Sequence, residues 1–65
     1  MLANYIVLMN ERLADTHNFP GLASWDGSPI REQAMFFWKK SAEEYQKELI
    51  ERLAPSNFHI EVRKI

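Results

Sequence analysis

The side chains best suited to chemistry are the two histidines, His17 and His59. His17 stands in DTHN, two places after Asp15, and His59 alternates with Glu61 near the end of the chain. Imidazole titrates near neutral pH, so either could serve as a general acid or base. Catalysis or metal binding would also need further donors to converge on them. There is no HExxH spacing and no other local histidine pair to hold zinc. The absence of cysteine removes disulfides and thiolate metal sites. Asp15 and Asp26 sit among turn residues, where an aspartate usually caps the turn. Glu43 and Glu44 are adjacent and diverge on a helix, so they are not a catalytic pair. Ser24 and Ser41 have no neighbouring base motif, and two glycines in the whole chain supply no phosphate-cradling loop. We therefore expect a non-catalytic protein with no cofactor and no metal, its histidines a turn residue and a solvent-facing strand residue.

The second group with chemical potential is AMFFWKK, Ala34 to Lys40, where Phe36, Phe37 and Trp38 run consecutively into two lysines. Rings flanked by lysines can stack nucleobases. Here Glu43, Glu44, Glu48 and Glu51 interleave with Lys39, Lys40 and Lys47, and the net charge is −1, unlike the basic footprint of a nucleic-acid binder. Nucleic acid is thus disfavoured as the partner. If it did bind, Lys39, Lys40, Arg63 and Lys64 would carry the contact.

These residues have to be placed by elements. Leu2 to Met9 is an apolar run with Tyr5, Ile6 and Val7 at its centre, which predicts a strand over about 2–10. Both of its faces are apolar, so cover on both sides is expected. Residues 11–28 hold Asp15, Asn18, Pro20, Gly21, Asp26 and Gly27 together with Leu13, Phe19, Leu22 and Trp25. That mixture predicts a packed loop. A helical turn near Glu11 to Asp15 and a short extended piece at Leu22 to Trp25 are compatible with it. In WDGSPIRE, Ser28 suits a helix N-cap, Pro29 the first helical position, and Glu32 the first turn. The helix is expected over about 29–53 and to stop before Pro55. Phe58, Ile60 and Val62 alternate with His59, Glu61 and Arg63, the period of a strand over about 58–65 with one dry face.

On a helix, neighbours point about 100° apart, so three adjacent rings cannot share one face. Stepping from Ile30 places Ala34, Trp38, Ala42, Tyr45, Leu49 and Leu53 on one stripe. Trp38 is then the core ring, Phe37 lies at the stripe's edge, and Phe36 falls among charges. Lysines and acids laced at four-residue spacing, Glu48–Arg52 among them, mark that outer face as wet.

The fold class expected is α+β: a small β-loop-α-β domain with one long amphipathic helix on a small sheet. A chain of 65 residues forms one domain and buries only ~60% of its unfolded surface. Two strands and a helix look incomplete, and a symmetric dimer that extends the sheet would enlarge the core. No apolar run reaches membrane-span length and the start does not resemble a signal peptide, so an intracellular protein without membrane contact is expected. The leading functional expectation is a protein-interaction module, a homodimer that binds and regulates a larger protein, inhibiting or redirecting it. Its contact surface would comprise Phe36, Lys39, Lys40, Lys47, Ile50 and Trp25. The alternatives are a nucleic-acid-binding regulator and a very small oligomeric enzyme with His17 or His59 at a subunit interface.

Overall fold

The apolar run near the start forms the central strand of the sheet, β1, Tyr5–Met9. A computed structural model of the chain describes residues 3–24, 34–55 and 57–65. After β1 the chain turns through Asn10 and Glu11, both at positive φ (53° and 69°). Two central residues of that kind make the hairpin turn that matches strand twist. The turn leads into β2, Arg12–Leu13, paired antiparallel with β1 at Leu8↔Leu13 and Met9↔Arg12. A 3₁₀ turn follows at Pro20–Ser24. Next comes β3, Met35–Phe36, antiparallel to β1 at Tyr5↔Phe36 and Ile6↔Met35. The helix α1 is Lys39–Leu53, and β4, Ile60–Lys64, pairs antiparallel with the whole of β1.

Backbone hydrogen bonds explain how β1 serves three partners. Within a strand, successive residues direct their N–H and C=O to opposite sides. Val7 donates its N–H to the Ala34 carbonyl and accepts from the Ala14 N–H. β2 and β3 therefore lie end to end along one edge of β1, with Val7 at their junction. On the other edge the Asn10 N–H donates to the His59 carbonyl, and the Asn10 side-chain oxygen accepts the His59 N–H at 2.8 Å.

Tyr5, Val7 and Met9 face α1. With Ala14, Leu22, Ala34, Phe36, Ala42, Tyr45 and Leu49 they form the core, and Phe19, Leu53, Ile60 and Val62 pack around it. The α+β class stands: one helix on a small four-stranded antiparallel sheet. Ala42, Tyr45, Leu49 and Leu53 occupy the core stripe as expected, and the alternation of Ile60 and Val62 with Glu61 and Arg63 places the first pair toward the helix. The Tyr45 hydroxyl donates to the Ala14 carbonyl at 2.7 Å, fastening the helix to the segment after β2.

Several expectations give way. A helix continuous over 29–53 does not form, because Met35 and Phe36 are a strand and α1 begins at Lys39. Ser28, Pro29 and Glu32, its expected start, lie outside the described residues. The physical reason is the crowding of rings. A strand followed by a bend buries Phe36 on the sheet and leaves the next two side chains outside the core. Phe36 is only 5% exposed and its ring lies 5.4 Å from that of Tyr45, so it is a core residue and not part of a wet face. Trp38 is 67% exposed, the reverse of its expected place. The helical turn near Glu11 to Asp15 is replaced by the β1–β2 hairpin. Leu22 belongs to the 3₁₀ turn and not to an extended piece.

Candidate functional site

Asn4 organises one end of the sheet. Its N–H donates to the Phe36 carbonyl, its side-chain amide donates to the Phe37 carbonyl at 3.2 Å, and its carbonyl accepts from the Ile65 N–H. These bonds hold the bend Phe37–Trp38 against the beginning of β1. The bend is the step from β3 to α1. Phe36 turns inward to Tyr45, and the bend turns both following side chains outward. Phe37 is 46% exposed and Trp38 67%. Their rings pack edge to face, centroids 4.7 Å apart and planes at 79°. That geometry suits the quadrupoles of the two rings and stiffens the pair.

Lys39 and Lys40 follow as the first residues of α1. Trp38 is the N-cap residue and supplies no side-chain hydrogen bond to the first turn, which also lacks an acidic residue. Favourable helix starts carry acceptors or acids here. This start instead presents lysines and an indole, which local helix stability does not call for. Asn4, Tyr5, the two rings and both lysines line an open groove of about 540 Å³. It is an apolar floor rimmed by ammonium groups.

Of the residues expected to form a contact surface, Lys39 and Lys40 belong to this patch. Phe36 is removed from it by burial. Lys47 is exposed farther along α1, about 12 Å of helix rise beyond Lys39. Ile50, 51% exposed, lies beyond Lys47. Trp25 lies outside the described residues. Sequence reasoning missed Phe37 and Trp38 as surface residues. The available signal was the run of three rings itself, since aromatic residues favour strands and only one ring of the run could be fully buried.

Among the described residues the alternative chemistries find no converging set. The His59 side chain is well exposed and 3.9 Å from Glu61, and His17 is exposed. Asp15 is buried, and its Oδ1 accepts from both the backbone N–H and the side-chain amide of Asn18, a turn-capping arrangement. Among the described residues no three His, Cys, Asp or Glu side chains gather as a metal site would require. Of the basic residues proposed for nucleic acid, Arg63 is engaged by Glu61 at 2.8 Å and Glu11 at 3.8 Å. Among the described residues no helix is long and apolar enough to cross a membrane. Comparison of the chain with protein-family models, curated proteins and solved structures found no match.

Proposed function

We propose that this protein is a protein-interaction module, working as a homodimer, that binds and regulates a larger protein through the Phe37–Trp38 ledge and its flanking Lys39 and Lys40. The observation that carries the reading is the outward display of two adjacent, mutually packed large rings on a chain whose third ring is buried. Large exposed aromatics are the residues that dominate interface energetics, and they act best when rigid. Asn4 fixes the backbone at Phe36 and Phe37, and the Phe37 and Trp38 rings brace each other, so less rotamer freedom is lost on binding. The lysines would steer an acidic partner and set its orientation.

The ledge favours a protein over a nucleic acid. Two rings at nearly a right angle do not offer successive parallel stacking surfaces, and Glu43 and Glu61 line the adjoining groove where a phosphate backbone would have to run.

The test is differential capture. The immobilised full chain and its Phe37→Ala/Trp38→Ala variant are exposed to lysate of the source cells, and bound proteins are quantified by mass spectrometry. Proteins specific to the native chain should fall at least about tenfold on the variant, as loss of hot-spot rings implies. The two chains should melt within a few degrees of each other, since neither ring is core. The same proteins retained at the same level would end the assignment of this ledge.

A further inference from the structure

We propose that the open edge of β4 seats a second copy of this chain, joined about a two-fold axis at Val62 so that the sheet runs on across two protomers. The proposal rests on the homodimer reading and adds the interface and its register. Backbone directions decide which groups are on offer. The Asn10 N–H donates to the His59 carbonyl and the Ile65 N–H to the Asn4 carbonyl. Hence His59, Glu61, Arg63 and Ile65 turn their backbone groups toward β1, and Ile60, Val62 and Lys64 turn theirs outward. Among the described residues β1 is the one strand beside β4. The Gln46 side-chain amide donates to the Ile60 carbonyl at 2.9 Å, and a groove of about 520 Å³ between α1 and β4 runs along this edge. An antiparallel strand centred on Val62 would meet the outward groups of Val62 and Lys64, and the partner's Lys64 N–H would share the Ile60 carbonyl with Gln46, since a carbonyl oxygen accepts two hydrogen bonds.

The charge order of IEVRK identifies the occupant. Edge strands normally carry charge to repel pairing. Here the signs make the strand its own complement. A pairing centred on Val62 sets Glu61 opposite the partner's Arg63 and Arg63 opposite the partner's Glu61. Both are pairs without direct backbone hydrogen bonds, where facing side chains come closest. On this strand Glu61 and Arg63 already meet at 2.8 Å, so the dimer would hold a four-charge cluster astride the axis. A slip of two residues one way sets Glu61 against the partner's Glu61. A slip the other way sets Arg63 against the partner's Arg63. Like charges directly opposed destabilise a sheet, so one register is selected. The axis stands perpendicular to the sheet, which leaves both helices on one face. Ile50, one turn beyond Gln46 on α1 and half exposed, gains cover on that side.

The experiment is light scattering and sedimentation of the full chain from about 1 μM to about 1 mM, because an edge-strand interface lies at the small end of the size range. The native chain should show a monomer–dimer equilibrium. Glu61→Lys alone and Arg63→Glu alone should each weaken it at least about tenfold, because both cross-axis pairs become repulsive. An equimolar mixture of the two variants should dimerise again, as should the double variant Glu61→Arg/Arg63→Glu, each within about threefold of the native constant. A native monomer throughout the range overturns both this interface and the homodimer reading. A native dimer that ignores the single variants, or one that neither the mixture nor the double variant restores, overturns the β4 interface and leaves the homodimer reading in place. The ledge at Phe37 and Trp38 is judged separately by capture.

Discussion

Glu11 holds a left-handed backbone, φ 69°, at the second central position of the β1–β2 turn. A residue with a Cβ pays roughly 1–2 kcal/mol for that conformation, and glycine escapes it. Glycine also loses more freedom on folding, which returns about 0.4–1 kcal/mol. Glu11→Gly should therefore stabilise the fold by about 0.5–1 kcal/mol, read as a higher denaturant midpoint at unchanged slope. A lower midpoint would mean that the Glu11–Arg63 contact, 3.8 Å and solvent-exposed, contributes more than such pairs usually do. Asn10 precedes Glu11 for a reason of the same kind. Asparagine tolerates positive φ, and its side chain and backbone both bind His59. A hairpin of this type is usually announced by Asn-Gly. Glutamate in the second place concealed it, which is why the sequence read only as the end of a strand.

At the scale of elements, the split of the expected helix carries most of the meaning. The second half, Lys39–Leu53, is written in helix formers with a core stripe of Ala42, Tyr45, Leu49 and Leu53, and that stripe was legible because its period is unambiguous. Ala34 and Trp38 fit the same spacing by coincidence. Ala34 is buried beside β3, and Trp38 stands in solvent. Spacing alone could not separate four residues of strand and bend from another turn of helix, since short apolar runs satisfy either period. The expected contact surface inherited that ambiguity: Lys39 and Lys40 are exposed as expected, and the exposed rings beside them are Phe37 and Trp38 in place of Phe36. Alanine substitutions test the exchange directly. Phe36→Ala should cost about 3–5 kcal/mol, enough to unfold much of so small a domain. Phe37→Ala should stay within about 0.5 kcal/mol of the native chain. Equal effects in thermal melts would contradict the strand assignment of Phe36.

Among the described residues the molecule is organised around β1, which touches β2, β3, β4 and α1. Its doubly apolar sequence anticipated a central position. What the residues could not disclose was that two short strands share a single edge, because neither Arg12–Leu13 nor Met35–Phe36 is long enough to show a period. Two features of the surface adjoin without coinciding: Tyr5 and Lys39 line both grooves, whereas Phe37 and Trp38 line only the first and Glu61 and Val62 only the second. The aromatic ledge lies at the end of the sheet organised by Asn4, and the self-complementary charges lie along the outer edge of β4. A chain of this size could thus pair with itself and still offer a ledge to something else.

Val7 joins the two short strands through one residue: its N–H goes to Ala34 and its carbonyl takes the Ala14 N–H. In a hydrogen-exchange experiment this makes two amides into separate clocks. The Val7 amide is shielded only while the β3 segment is docked, and the Ala14 amide only while the hairpin is closed. The hairpin is local in sequence and closes a short loop, whereas β3 docks from far along the chain, so Ala14 should exchange more slowly than Val7 under native conditions. A common rate for both would mean that the whole edge opens as one cooperative unit. Slower exchange at Val7 would make β3 the more firmly held of the two. Where the rates differ, two amides that meet at one residue report which part of the sheet lets go first.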